Sequence, residues 1–216
     1  MVEFYKTNID EFDKSKNGGA ITDDIAEDGV KNNLLPDVRS RIAEQGGEKF
    51  VKFFIKSTTN IVDVGVAISQ SSASPTEEVY ISLAGGDEYE RDLDKESMRF
   101  YGAFVVESYD KESKKAVADV DVSDFVKADD TVTFYDSDNL KIVSFEVDSV
   151  SAKEITFKEV NDTDVASHTG ASTIIIDALD AEAEAGFWIK QKIGAFTEAM
   201  EQNLDNFTLN VWYDKK

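Results

Sequence analysis

Few residues in this chain combine the side-chain types and the spacing that catalysis needs. The 216 residues include no cysteine and one histidine, His168, so a serine–histidine–carboxylate triad would have to use that residue. His168 lies in a loop-like stretch, Val165-Ala166-Ser167-His168-Thr169-Gly170, which lacks a G-x-S-x-G turn. The chain also lacks both glycine motifs that bind nucleotide phosphates. We therefore predict that His168 is an exposed loop residue, and we predict no catalytic residues and no bound cofactor.

Carboxylates are the other candidate ligands, and calcium is the metal that prefers their oxygens. The run Asp136-Ser137-Asp138-Asn139 begins like a calcium loop, but the glycine and the later acid of an EF-hand are missing. Asp119 and Asp121 are expected to share one strand face, with Asp129 and Asp130 in a neighbouring turn. With 44 acidic residues in the chain, such clusters arise by chance. We therefore predict no metal site, with a calcium site as the alternative.

Two other groups of residues are typical of carbohydrate-active proteins. Glu107 and Glu146 could act as the paired carboxylates of a glycosidase, but the many acids make that choice arbitrary. Aromatic residues of the last strands could instead form a platform on which sugar rings stack: Phe187, Trp188, Trp212 and Tyr213. Both tryptophans fall opposite the apolar strand faces, so they are either exposed to a partner or packed under another part of the chain. We favour packing.

The charge balance excludes several classes of partner. The chain has 23 lysines and arginines against 44 aspartates and glutamates, which gives a net charge of −21. Nucleic acids and anionic membranes attract cationic surfaces, so we expect neither as a partner. The first residues, Met1-Val2-Glu3-Phe4-Tyr5-Lys6, do not form a secretory signal. No run approaches the roughly 20 apolar residues of a membrane helix.

The pattern of apolar residues predicts an all-β fold. Residues 1–48 carry 11 acids and 6 bases with little periodicity. We expect them to form an extended N-terminal arm, with one helical turn near Asp37 to Glu44, that is ordered only against neighbouring subunits. From Lys49, apolar residues alternate as in strands with one buried face: Val51, Phe53 and Ile55; Val62, Val64, Val66 and Ile68; Val79, Ile81 and Leu83.

Residues 101–165 form a predicted insertion. Five short strands separated by polar turns are typical of a small barrel or sandwich: Ala103–Tyr109, Ala116–Val122, Thr131–Tyr135, Lys141–Val150 and Glu154–Val160. Later strands cover Thr173–Leu179, Phe187–Ile193 and Phe207–Tyr213, and Thr197–Leu204 has the residues of a short helix. The economical arrangement is a β-sandwich of residues 49–100 and 166–216, with a small β-barrel-like unit inserted at a loop.

Three stretches resemble parts of β-rich structural proteins of tailed-bacteriophage virions: Asn32–Asp37, Gly46–Ser57 and Gly186–Lys190. Proteins of that kind often pair an N-terminal arm with a strand of the form R/K-x-I/F-x-I/V-K-N, followed by a G-F-W-I/V-K strand and a closing strand. Here Ser57 replaces the usual asparagine, and the insertion separates the two halves. The resemblance covers residues 1–85 and 170–216 loosely and includes no catalytic signature.

The resemblance implies a virion component that is assembled in the host cytoplasm. The expected function is that of a non-enzymatic structural protein, present in many copies as capsid decoration or in the neck or tail. Its expected partners are copies of itself and other virion proteins, bound through sheet edges, the arm and the aromatic strands. The alternative is a carbohydrate-binding or adhesin module that uses Trp188 and Trp212.

Overall fold

The fold contains twelve strands and one short α-helix in the part of the chain that the structure describes. The structure is a computed structural model, and it describes residues 1–10, 12–27, 34–35, 38, 40–70, 77–195 and 207–216, apart from the side chain of Gln70. The strands are β1 (Val2–Lys6), β2 (Gly47–Ser57), β3 (Ile61–Gln70), β4 (Glu77–Ala84), β5 (Ala103–Asp110), β6 (Lys115–Ala118), β7 (Thr131–Tyr135), β8 (Lys141–Ser151), β9 (Glu154–Phe157), β10 (Thr169–Leu179), β11 (Glu184–Ile193) and β12 (Thr208–Lys215). The helix α1 spans Ser40–Gln45, near the predicted helical turn. None of the described helices could cross a membrane.

Two antiparallel sheets form the sandwich. The first has the strand order β1-β2-β11-β4, and the second begins β12-β3-β10. Inward side chains alternate along the strands, as predicted, and form a core that includes Phe53, Ile55, Val64, Val66, Ile81, Phe187 and Ile189. Phe53 and Phe187 lie opposite each other on β2 and β11, and their ring centroids are 5.3 Å apart. The predicted all-β sandwich is confirmed.

A small barrel of six strands adjoins the sandwich. Its strands follow the order β10-β5-β6-β9-β8-β7, and β7 pairs back onto β10, so the sheet closes on itself. Every pairing in it is antiparallel. Closure removes the sheet edges, and side chains fill the interior, among them Phe104, Phe134, Phe145 and Phe157.

The strand β10 belongs to both parts of the molecule. Residues 169–173 pair with β7 on one edge, and residues 169–171 pair with β5 on the other. Residues 174–179 continue into the sandwich and pair with β3. One wall of the barrel therefore comes from beyond residue 165, where the sequence predicts the end of the insertion. Independent folding of residues 101–165 stays a prediction.

A bulge in β3 changes which residues face the core. Asp63 has a positive φ of 51°, a conformation that aspartate tolerates better than most residues. The pairing of β3 with β12 is irregular at this point. Ile61 is consequently buried in the core, whereas Val62, which the alternation places on the inner face, is only half-buried.

The barrel strand β6 is shorter than predicted. It covers Lys115–Ala118, whereas the sequence predicts a strand over Ala116–Val122. The chain leaves the sheet after β6 because the Asp119 amide donates to the Val105 carbonyl at 2.9 Å and Asp119 Oδ1 accepts from the Val105 amide at 2.8 Å. The helix predicted over Thr197–Leu204 lies outside the described residues.

The N-terminal segment packs on its own chain. β1 pairs antiparallel with β2 along its whole length. Residues 22–26 then cover the outer edge of β1, for example through the Ala26 amide, which donates to the Phe4 carbonyl at 2.8 Å. The expectation that residues 1–48 become ordered only against neighbouring subunits is therefore wrong for the described part of this segment, because pairing within the chain satisfies its backbone.

Two glycines allow this segment to cross the outer face of the first sheet. Gly18 and Gly19 have φ values of 101° and 82°, which residues with side chains rarely adopt. A Cβ on Gly18 would lie 2.6 Å from the Trp188 ring, and a Cβ on Gly19 would lie 2.8 Å from the Tyr89 ring. The pair is therefore required for the close passage of the backbone over aromatic side chains.

Candidate functional site

The single histidine is part of a structural turn. His168 lies between β9 and β10, and its Nδ1 is 2.9 Å from the carbonyl oxygen of Ala166. Its backbone carbonyl accepts a hydrogen bond from the Val106 amide at 3.0 Å, which ties the turn to β5. His168 is a loop residue, as predicted, but it is half-buried rather than exposed, because neighbouring segments hold both its ring and its backbone.

The first candidate calcium ligands close a hairpin instead. Asp136 Oδ1 accepts hydrogen bonds from the amides of Asp138 and Leu140, both at 2.9 Å. Asn139 has a φ of 61°, and its carbonyl accepts from Asn210 Nδ2 at 3.1 Å. The residue types of this run are therefore explained by the turn between β7 and β8 and by its contact with β12.

Asp119 and Asp121 do not share a strand face, since both lie in the loop after β6. Ser123 donates to Asp121 Oδ1 from its hydroxyl at 2.6 Å and from its amide at 2.9 Å. These hydrogen bonds hold the pKa of the Asp121 carboxyl below its usual value. The carboxylate of Asp121 therefore stabilises a local turn.

Asp129 and Asp130 bind different bases. Asp129 accepts from Lys158 Nζ at 2.6 Å, whereas Asp130 pairs with Arg99. Lys158 also pairs with Glu146, and its hydrogen bonds to Asp129 and Glu146 raise the pKa of the Lys158 ammonium. Over the described residues, no three His, Asp or Glu side chains are grouped so that they could hold a metal ion.

The two candidate glycosidase carboxylates lie on opposite walls of the barrel. Glu107 is on β5 and Glu146 is on β8, and two strands separate them in either direction around the barrel. Both side chains are exposed. They therefore cannot flank one glycosidic bond. Glu146 lines a shallow depression of about 410 Å³ together with Lys158 and Glu159.

The N-terminal segment covers Trp188. The side chain of Trp188 is fully buried, and its Nε1 donates to Glu88 Oε2 at 2.9 Å. The backbone at Gly18 crosses directly over the indole ring. Trp188 is therefore packed beneath the N-terminal arm, in agreement with the prediction that the tryptophans are packed rather than exposed.

Trp212 lies in the other sheet, beneath the barrel. Its ring lies against Gly65, where no side chain could fit, and Lys141 Nζ is 3.2 Å from a ring centroid of Trp212. Lys141 belongs to β8, so the insertion covers part of this tryptophan, which is half-buried. Because Trp188 and Trp212 lie in different sheets, they do not form the single aromatic platform with Phe187 and Tyr213 that was the alternative to packing. Of the two tryptophans named for carbohydrate binding, Trp188 is therefore inaccessible to a sugar and Trp212 is half-buried.

Lys52 is the most unusual charged residue of the molecule. The alternation in β2 places it on an outer, polar face, but its side chain is fully buried. Its Nζ donates to three backbone carbonyls, those of Gly86 at 2.5 Å, Gly19 at 2.8 Å and Glu88 at 3.2 Å. Burial lowers the pKa of the Lys52 ammonium, although the charges of Glu88, Asp87 and Glu184 oppose this shift.

The Lys52 ammonium joins three segments of the chain. It connects β2 with the N-terminal segment at Gly19 and with the loop after β4 at Gly86. All three carbonyls can only accept, so they stabilise the protonated form of Lys52, which is not nucleophilic. The geometry therefore supports a structural role for this lysine rather than a catalytic one.

A surface groove between β4 and β10 is the strongest candidate for binding. It has a volume of about 430 Å³ and is lined mainly by apolar groups, including Leu83 and Ile175. These two side chains are 53% and 40% exposed, and both belong to the groove lining. Together they form a small apolar surface at a concave site, which a partner could cover.

The groove lies along two strand edges that are largely unpaired among the residues that the structure describes. Residues 174–179 of β10 pair with β3 on one edge, and no described residue pairs with the other edge. β4 pairs with β11, and on its outer edge the described residues contribute only an isolated bridge between Ile81 and Tyr101. One acid, Glu184, belongs to the groove lining, and the exposed Asp177 follows the lining residue Ile176 on β10.

Sequence reasoning missed both Lys52 and the groove. A signal for Lys52 existed, because five apolar residues surround it in Phe50-Val51-Lys52-Phe53-Phe54-Ile55. Apolar residues at both odd and even positions predict a strand that is buried on both faces. The groove had no such signal, since it depends on which strand edges remain unpaired after folding.

Comparison with known proteins gives no family for the chain: no family model matches it, and no curated protein does.

Proposed function

We propose that this protein is a non-enzymatic structural subunit of a tailed-bacteriophage virion, used in many copies as capsid decoration or in the neck or tail. The similarity of β2 and β11 to strands of phage structural proteins supports the proposal. The observation that carries it is the groove between β4 and β10, where two strand edges and exposed apolar side chains are available together.

The groove is suited to the addition of a strand from another protein. An extended segment can satisfy the free N–H and C=O groups of a strand edge while its alternate side chains enter apolar pockets. Exposed edges otherwise promote uncontrolled pairing, and natural proteins usually cover them. A strand placed here would cover Leu83 and Ile175.

The charge of the chain indicates the chemistry of that segment. Glu184 lines the groove, the exposed Asp177 follows the lining residue Ile176, and the net charge of −21 repels a second copy. The partner is therefore an extended segment of another virion protein, in which lysines or arginines alternate with apolar residues. Copies of this chain would be arranged by that partner, with the acidic barrels facing solvent.

Binding of a basic strand can be measured with a synthetic peptide of alternating valine and lysine. We expect fluorescence anisotropy to show binding that weakens as salt rises, because screening reduces the attraction of the acids. Leu83→Asn should weaken binding about tenfold, since losing about 1.4 kcal/mol of apolar burial corresponds to that factor.

The matched control is Leu140→Asn, because Leu140 is 63% exposed but lies at the turn between β7 and β8, on the barrel. We expect this variant to bind the peptide as the unmodified chain does. A peptide of alternating valine and glutamate should not bind. Equal affinities of the two variants would contradict the groove as the binding site, and equal affinities that match the unmodified chain would indicate binding to acidic surface in general.

The location in the particle has its own test. Mass spectrometry of purified virions of the phage that encodes the chain should detect it as a multi-copy component. Its absence from particles that contain the other structural proteins would contradict the proposed function, whatever the peptide binds.

A further inference from the structure

Three side chains with complementary chemistry meet where the N-terminal segment crosses β2. Asn17 Nδ2 donates to Glu90 Oε2 at 2.8 Å, and Lys95 Nζ donates to the other oxygen of the same carboxylate, Oε1, at 3.1 Å. Glu90 therefore lies between an amine and an amide. These groups come from distant parts of the chain, the N-terminal segment and the loop that follows β4.

The orientation of the Asn17 amide is fixed. Its Nδ2 also donates to the Phe50 carbonyl at 2.8 Å, so exchanging oxygen and nitrogen would bring Oδ1 against two acceptors. Asn17 is 3% exposed, and its Oδ1 is buried without a hydrogen-bond partner among the described residues. The amide nitrogen of Asn17 thus contacts the carboxyl group of Glu90, while the amide oxygen accepts no hydrogen bond from the described residues.

Asn17 and Glu90 are buried, whereas the Lys95 side chain is 32% exposed. Glu90 is 8% exposed, and Lys95 Nζ is 3.9 Å from the ring centroid of the buried Phe50. Burial opposes the ionisation of Glu90, but hydrogen bonds from Asn17 and Lys95 outweigh it and hold the pKa of the Glu90 carboxyl below its usual value. The resting state is therefore a Lys95 ammonium paired with a Glu90 carboxylate.

We propose that Lys95 and Asn17 form an intramolecular isopeptide bond, with Glu90 as the group that transfers protons. The Lys95 ammonium first gives a proton to Glu90, and the free amine attacks Cγ of Asn17. A bond forms between Nζ and Cγ, and the bond between Cγ and Nδ2 breaks. Glu90 protonates the departing Nδ2, the new amide loses its extra proton through Glu90, and ammonium leaves. No oxidant or other reactant is needed.

The geometry favours this reaction for two reasons. A carboxyl within hydrogen-bond distance of both nitrogens can act as base toward one and as acid toward the other. Folding also brings Lys95 and Asn17 to the same carboxylate, so part of the loss of translational freedom that the reaction needs has already occurred. The bond would attach the N-terminal segment covalently over Trp188, whether or not the chain belongs to a virion.

Intact-mass spectrometry of the purified full-length chain tests the proposal directly. We expect a mass about 17 Da below that of the unreacted chain, the mass of one ammonia. Proteolysis should release one branched peptide that contains Asn17 joined to Lys95. A chain with its full sequence mass and no branched peptide would overturn the proposal, whatever the variants do.

Variants identify the groups involved. Lys95→Arg keeps a cation beside Glu90 but removes the amine, and Glu90→Gln removes the proton carrier, so both should show the unreacted mass. Lys14→Arg is the matched control, since Lys14 Nζ lies 3.3 Å from the same Glu90 oxygen but its side chain is 64% exposed. We expect this variant to react like the unmodified chain. Reaction of Lys95→Arg together with failure of Lys14→Arg would assign the bond to Lys14 and overturn the proposal as stated.

A second reaction gives the same change in mass and has to be distinguished. Asn17 precedes Gly18, and attack of the Gly18 amide on the asparagine would form a cyclic imide with loss of ammonia. In the structure the Gly18 amide instead donates to the Asn8 carbonyl at 2.8 Å. The imide would persist in Lys95→Arg and would give no branched peptide, so that result would contradict the isopeptide bond.

Discussion

Replacing Lys52 with methionine should lower the free energy of unfolding by about 3 kcal/mol. The substitution keeps a long side chain but leaves the buried Gly19 carbonyl and the partly buried Gly86 carbonyl without their donor. Hydrogen bonds to charged groups contribute about 1.5–3 kcal/mol each, and relief of the buried charge returns part of that loss. Denaturant unfolding followed by the fluorescence of Trp188, which lies beside Lys52, measures the change.

Lys56→Met is the control for this substitution. Lys56 is on the same strand and binds Glu182 at 2.8 Å, but the carboxylate side chain of this pair is 67% exposed. Solvent screens such a pair, so the effect should be much smaller than that of Lys52→Met. Equal effects of the two substitutions would show that the three carbonyl contacts of Lys52 do not stabilise the fold.

The contribution of Lys52 should also depend on pH. Burial puts the pKa of Lys52 in the folded chain below the value of 10.5 expected in the unfolded chain. Between these two values the unfolded chain binds more protons, so this residue makes the free energy of unfolding rise with pH, and the gain is lost as pH falls through the folded pKa. The difference in stability between the unmodified chain and Lys52→Met should therefore widen toward pH 10.5; a constant difference would contradict the lowered pKa.

Alternating apolar residues were sufficient to predict most of the strands. β7 agrees with its predicted bounds at both ends, and β5 differs at one end only. The start of β10 was missed because its first residues, Thr169-Gly170-Ala171, show no alternation. Gly170 and Ala171 are buried because β5 and β7 flank them, and a strand with covered edges and small side chains lacks the period-two signal.

The polar contacts at the N-terminal segment could not be predicted at all. Asn17 meets Glu90 across 73 residues of sequence, and Lys52 meets Gly19 across 33. No local sequence pattern predicts a contact between residues so far apart in the chain. The segment 1–48 was predicted to lack stable structure of its own because its apolar residues are few; it is ordered instead by strand pairing and by hydrogen bonds to buried groups of β2.

Replacing Phe157 with alanine should lower the free energy of unfolding of the whole chain by about 3–5 kcal/mol, the usual cost of removing a buried phenyl ring. Phe157 is 1% exposed in the barrel core, with ring centroids of Phe145 and Phe134 at 5.4 and 5.9 Å. We expect the sandwich to lose stability as well, because β10 forms a barrel wall with residues 169–173 and a sandwich strand with residues 174–179.

The position of the tryptophans makes this coupling measurable. Trp188 is on β11 and Trp212 is on β12, so neither belongs to the barrel. In a Trp212→Phe background, fluorescence reports on the sandwich alone, whereas far-ultraviolet circular dichroism reports on all strands. Phe157→Ala should move both transitions to lower denaturant together. Phe157→Leu should move them less, and Leu140→Ala, at an exposed position, should leave them unchanged.

An unchanged Trp188 transition, with an earlier partial loss of circular dichroism, would show that the barrel unfolds alone. Residues 101–165 would then be an insertion as the sequence predicts, and replacing Tyr101–Val165 with a Gly/Ser linker would leave a folded sandwich. The shared strand argues for the opposite result. Without β5 and β7, residues 169–173 lose their partners on both edges, and the buried Ala171 and Ser172 are exposed to water. We therefore expect the linker variant to lose cooperative unfolding.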